Sequence, residues 1–82
     1  MSKPPLPCCP AAEARYLADL PHVYQFDFDL YQCQGCSRHW VHAWREGQQG
    51  WEKVEPDDAD KMRSLEGDGL RTFMKAWAQS FN

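Results

Sequence analysis

The clearest pattern in the chain is the alternation in VYQFDFDLYQC, residues 23–33. Successive side chains of a strand point to opposite faces, so Tyr24, Phe26, Phe28 and Leu30 share one side. Gln25, Asp27 and Asp29 share the other. This predicts a strand with one buried face and one wet face. HWVHAWRE, residues 39–46, predicts a second strand. GQQG (47–50) predicts a turn, and WEKV (51–54) a short third strand.

Helical spacing brackets this sheet. PAAEARYLADL, residues 10–20, opens on Pro10, which suits a first helical turn, and Pro21 follows as a stop. Ala14, Tyr16, Leu17 and Leu20 cluster on one side, predicting a short amphipathic helix. Further on, Glu55 precedes Pro56, and Asp57, Asp58 and Asp60 follow in a first turn, where carboxylates complement the positive end of the helix dipole. Ala59, Met62 and Leu65 give that helix a thin apolar stripe. EGDG (66–69) breaks the chain and Asp68 can cap a last helix. There Leu70, Phe73, Met74, Trp77, Ala78 and Phe81 recur at offsets of three and four, with Arg71, Lys75 and Gln79 facing away. This last helix is predicted to lie on the aromatic face of the sheet.

Size and charge narrow the classes. With 82 residues there is room for one domain, whose core supplies only ~3–5 kcal/mol of net stability. Four Trp, three Tyr and four Phe within a 43% hydrophobic composition are enough to fold. A net charge of −3 and a pI near 5.5 disfavour phosphate backbones and anionic lipid as partners. MSKPPLP has no apolar leader, and no run approaches the roughly 18 apolar residues of a membrane span. The expectation is a cytoplasmic chain whose thiols stay free or bind metal. Residues 1–7 read as a flexible Pro-rich arm and 8–82 as a single domain.

The four cysteines carry the candidate chemistry. Cys33-Gln34-Gly35-Cys36 lies between two predicted strands, and a CxxC turn lets both sulfurs reach one ion. Gly35, lacking Cβ, allows a positive φ inside that turn. Cys8 and Cys9 are adjacent, so they can share an ion only if the backbone bends there; Pro10 restricts Cys9 to extended backbone. Three arrangements follow. All four cysteines ligate; or one of Cys8 and Cys9 joins Cys33, Cys36 and a histidine, His39 or His22; or the cysteines are small buried hydrophobes with no site. The first leads and the second follows it.

The knuckle YQCQGC, the Trp-bearing strand after it and the distant cysteine pair before it resemble a zinc ribbon over about residues 8–46. Two positions depart from the ribbon pattern: Ser37 stands where a Gly is usual, and the first knuckle is the adjacent pair Cys8-Cys9. The resemblance implies a structural Zn²⁺ held by Cys8, Cys9, Cys33 and Cys36. In small finger peptides such an ion contributes an apparent ~10–16 kcal/mol, several times what this core supplies. The expected architecture is therefore α+β: a small three-stranded antiparallel sheet with a zinc knuckle at one end. A short N-terminal helix and two C-terminal helices pack it.

An enzyme is not expected. A full cysteine shell is closed, whereas catalytic zinc keeps an open position. His22, His39 and His42 fall in no catalytic motif. A redox CxxC normally sits at a helix N-terminus, and here a strand follows the pair. Arg38, Trp40, Trp44 and Arg45 offer the ingredients of a nucleic-acid stacking platform. However, Trp40, His42 and Trp44 share one strand face, where large aromatics of a small domain are usually core. From Glu46 to Asp68 there are eight carboxylates and three basic residues, with Glu55, Asp57, Asp58 and Asp60 close together. Helix-end electrostatics accounts for part of that run; a negative patch that steers a basic partner accounts for the rest. The sequence therefore predicts a non-enzymatic, acidic, zinc-binding protein-interaction module, of the kind that inhibits a basic toxin or nuclease stoichiometrically as immunity proteins and antitoxins do. The alternative is a zinc-ribbon nucleic-acid-binding module using Arg38, Trp40, Trp44 and Arg45.

Overall fold

The computed structural model describes residues 4–79. Four strands, β1 (Ala14–Val23), β2 (Phe26–Cys33), β3 (His39–Arg45) and β4 (Gln48–Val54), precede two helices, α1 (Pro56–Ser64) and α2 (Gly67–Gln79). The strands form one antiparallel sheet in the order β1-β2-β3-β4. Thus the architecture is α+β with two C-terminal helices, but the sheet has four strands and, among the described residues, there is no N-terminal helix.

The segment read as that helix is β1. Its apolar residues fit both periods, and an isolated helix of this length is marginal in water. As a strand it completes the exposed edge of β2. Between Tyr16 and Ala18 the register shifts, so Leu17 and Ala18 both face the helices while Tyr16 remains opposite Tyr31. A bulge of this kind lets an apolar pair point the same way. Pro21 falls within the second register shift, between Leu20 and Val23, on an edge strand, one of the few sheet positions that proline tolerates.

The β1–β2 hairpin explains why the strand was hidden. Its two loop residues are Tyr24 and Gln25, both with positive φ (51° and 69°), as the favoured two-residue hairpin turns require. Asn-Gly would announce such a turn, and Tyr-Gln does not. Tyr24 is therefore a turn residue and not the first member of the β2 aromatic face. Its hydroxyl accepts a hydrogen bond from Gln79 Nε2 at 2.9 Å, tying the turn to the end of α2. The β3–β4 hairpin also turns earlier than the sequence suggests. Glu46 and Gly47 make the loop, with Gly47 at φ 75°, and Gln48 and Gln49 already pair in β4.

One sheet face packs on the helices. Phe28, Leu30, Val41, Ala43 and Val54 meet Ala59 and Met62 of α1 and Met74 and Ala78 of α2. Phe73 and Trp77 close the sides, and the Trp77 ring stands edge-on to Phe28 at 5.9 Å. Leu65, expected in the α1 stripe, caps that helix and is exposed instead. Phe81, expected in the α2 stripe, lies outside the described residues, as do residues 1–3 of the N-terminal arm. Of that arm, Leu6 is buried and the Pro4 carbonyl accepts a hydrogen bond from Trp51 Nε1 at 2.8 Å. Residues 4–12 thus run across the opposite sheet face, above Cys33, Trp40 and Trp51.

Candidate metal centre

That N-terminal segment bends where Cys8 and Cys9 need it to. The Ala12 N–H donates to the Cys9 carbonyl at 2.9 Å, closing a turn over residues 9–12. The Gln34 N–H donates to the Glu13 carbonyl at 3.0 Å, docking the segment against the loop after β2. Within that loop the Ser37 N–H reaches back to the Cys33 carbonyl at 3.0 Å, and the Cys33 N–H donates to the Arg38 carbonyl at 2.8 Å. The adjacent pair and the CxxC pair consequently meet: the sulfurs of Cys8, Cys9, Cys33 and Cys36 all lie within 4.8 Å of one another.

This spacing suits one ion. Four sulfurs each ~2.3 Å from a tetrahedral centre stand about 3.8 Å apart, and the Cys8 and Cys36 sulfurs are 3.5 Å apart. The group contains no histidine; His22 is engaged elsewhere, its Nδ1 lying 2.8 Å from Asp27 Oδ1. Cys33 is buried, Cys8 and Cys9 are half-buried, and Cys36 is exposed. The cluster therefore sits at one edge of the fold, with its inner side against the sheet.

Electrostatics points the same way. The backbone N–H of Cys36, joined by that of Gly35, bonds the Cys33 sulfur and lowers its pKa from 9.0 to about 7. Cys9, whose thiol bonds to the sulfurs of Cys33 and Cys36, is pushed up to about 12. Cys8 is raised too, first by desolvation and then by its bond with Cys36. Four thiolates this close repel one another, and only a cation among them lets all four ionise together. The donor set and its spacing are compatible with a metal-binding site.

Three residues shape the cluster in ways the sequence did not announce. Trp40, by its strand position a candidate for the core or for a stacking surface, is buried, and its indole N–H donates to the Cys8 sulfur at 3.3 Å. Gly35 does not take a positive φ. Its role is clearance: a Cβ there would stand 3.1 Å from the Ala12 Cβ and 3.3 Å from the Cys9 sulfur. The positive φ, 66°, belongs to Ser37, the position where a ribbon usually has Gly.

The other sequence candidates lie outside the cysteine cluster. Arg38, Trp40, Trp44 and Arg45 form no common platform. Trp40 is enclosed, and Trp44 is exposed on the Trp40 face. Arg45 points to the opposite face, over the Phe26 ring at 4.9 Å, and Arg38 lies in the loop before β3. Glu55, Asp57 and Asp60 are exposed and Asp58 is half-buried around the first turn of α1, with Glu55 at the N-cap position. A depression of about 310 Å³ separates this turn from the knuckle, lined by Cys36, Arg38, His39, Lys53 and Glu55 among others. None of the described helices is long and apolar enough to cross a membrane. No protein-family model, curated protein or solved structure matches this chain.

Proposed function

We propose that the chain is a non-enzymatic protein-interaction module whose four cysteines hold one structural zinc ion, and whose partner is a basic protein. The observation that carries the reading is the convergence of the Cys8, Cys9, Cys33 and Cys36 sulfurs to within 4.8 Å from two separate stretches of chain. Adjacent cysteines rarely suit a shared ion, and here a dedicated turn brings them into one cluster with the CxxC pair. Four sulfur ligands close the shell and leave no position for a reacting water. The indole N–H of Trp40 and the backbone N–H of Gly35 supply the hydrogen bonds to sulfur that usually surround and tune such ligands. A zinc-ribbon knuckle fits the Cys33–Cys36 half, with Ser37 in the left-handed position. The net charge of −3 favours a positively charged partner. Neutralising a basic toxin or nuclease by stoichiometric binding is the mode of action this reading favours.

Metal analysis of the chain purified under reducing conditions tests it. One zinc per chain is expected, lost in Cys33→Ser and in Cys9→Ser. Replacement by Co²⁺ is expected to give the intense visible bands of tetrahedral cobalt with thiolate charge transfer. A chain without stoichiometric metal would contradict the proposal, and a red, iron-containing chain would overturn the choice of zinc.

A further inference from the structure

The sheet face that carries the cysteines is only half covered. Residues 4–12 lie over Cys33, Trp40 and Trp51. Past Tyr31 and His42 the same face continues as Asp19, Asp27, Asp29 and Trp44, around a shallow depression of about 370 Å³. Trp44 of β3 is 45% exposed and Tyr16, on the edge strand β1 beyond β2, 51%. The floor between them is built of packed rings. Tyr31 meets Tyr16 edge-on at 5.6 Å and Trp51 at 5.4 Å, and His42 lies 5.2 Å from Trp51 with its Nε2 bonded to Gln49 Oε1.

The charge on this open half is one-sided. Asp19 stands directly opposite Asp29 in the β1–β2 register, and Asp27 is the next residue of β2 on that face. Like charges placed opposite each other across a sheet work against folding. No lysine or arginine is among the described residues that line the depression, and at its rim His22 Nδ1 lies 2.8 Å from Asp27 Oδ1. The local field shows in Tyr16, whose phenol pKa is raised first by its hydrogen bond to Asp19, with the charges of Asp19 and Asp29 adding to the effect. A half-exposed indole beside carboxylates suits a cation, which gains from the ring face and from the charge together. Large aromatics at the centre of a contact also carry much of the energy of protein association.

We infer that this open half of the sheet face is where a basic protein partner docks, an arginine- or lysine-bearing segment laying its cationic side chains between Trp44 and the carboxylates of Asp19 and Asp27. The inference rests on the proposed interaction module and moves its contact surface. The carboxylates of α1, expected from sequence to bind the partner, include Asp57 and Asp58 in a helical first turn, where they already serve the helix dipole. They add long-range steering and not the anchor.

The metal-loaded, ¹⁵N-labelled full chain titrated with a nona-arginine peptide at low salt tests this. The largest shifts are expected at the Trp44 indole N–H and the amides of Asp19 and Asp27. Trp44→Ala and Asp19→Asn should each weaken the affinity about tenfold, whereas Asp57→Asn with Asp58→Asn should change it by less than about threefold. Asn at position 19 still offers an acceptor to the Tyr16 hydroxyl, so that variant should melt no lower than the parent and a loss of binding is not a loss of fold. Shifts centred on α1 would overturn the inference and leave the interaction reading standing. No binding anywhere would remove the basic partner altogether. Shifts at Trp44 produced by oligo(dT) and not by the peptide would overturn the inference in favour of nucleic acid. Shifts there that follow protein concentration alone would overturn it in favour of a second copy.

Discussion

The two faces of the sheet are held by different physics. On the helix side, Phe28, Leu30, Val41, Met62 and Met74 are almost completely buried, and the stabilisation is spread over many apolar contacts. On the cysteine side the buried cluster consists of Leu6, Cys33 and Trp40, with partly buried neighbours around it. A nine-residue stretch of irregular chain covers that side, with indole bonds from Trp51 to the Pro4 carbonyl and from Trp40 to the Cys8 sulfur, and a backbone bond from Gln34 to Glu13 at its end. So little apolar area cannot offset the entropy of ordering such a segment. The difference teaches where the proposed ion would matter: one face has many contacts to lose, while the other would be joined by the ion at a single point where two stretches of chain meet.

The comparison breaks most visibly when the ion is removed. Because the ion is worth an apparent ~10–16 kcal/mol in small finger peptides, chelation should lower the melting temperature by more than about 15 °C. Calorimetry of the reduced chain with and without chelator measures it. Next, Phe28→Ala should cost about 3–5 kcal/mol by denaturant unfolding while leaving metal stoichiometry at one, which separates the two faces. Trp40→Phe keeps an aromatic ring under the N-terminal segment but removes the N–H bonded to Cys8. It should weaken metal affinity by about 10–100-fold in competition with a chromophoric chelator.

Two smaller changes sharpen the account. Ser37→Gly relieves a left-handed backbone position at the cost of a more flexible unfolded chain, for a net gain of about 0.5 kcal/mol in the metal-loaded protein. Glu52, on the helix side, has its carboxyl pKa raised by burial. Its charged form therefore costs stability, a penalty that is full above the raised value and gone below the ordinary 4.5. Glu52→Gln should accordingly raise the melting temperature slightly at neutral pH, and the gain should disappear as pH falls through the carboxylate range. This is the smallest of the effects, since the side chain keeps substantial access to solvent.

How much of this could be read beforehand depended on the residue. The Phe26–Leu30 alternation and the three-four spacing from Leu70 to Ala78 are one-valued patterns, and both elements formed with the expected buried faces. The stretch from Ala14 to Leu20 is two-valued: its apolar residues satisfy a helix, or a strand with a bulge at Leu17. A tertiary partner, the edge of β2, decided between them. The deciding hairpin carries Tyr24 and Gln25, side chains that do not signal left-handed backbone. The cysteines are legible as a group because the chain has only four, in two close pairs. Their convergence is the leading expectation from sequence, but the turn at Cys9–Ala12 and the clearance at Gly35 that allow it are not visible there. Strand alternation puts Trp44 on the face of Trp40 but does not tell how far the covering segment extends across it.

The most direct test of the central claim follows both faces at once. Amide and side-chain NMR spectra of the metal-loaded chain would be recorded before and after chelation, under reducing conditions and below the melting transition. The signals of Leu6, Gly35 and the Trp40 indole should move or broaden beyond detection, while those of Phe28, Leu30 and Met74 keep their dispersion. Superimposable spectra for both faces, with an unchanged melting temperature, would contradict the claim that an ion at the four sulfurs holds the cysteine side in place.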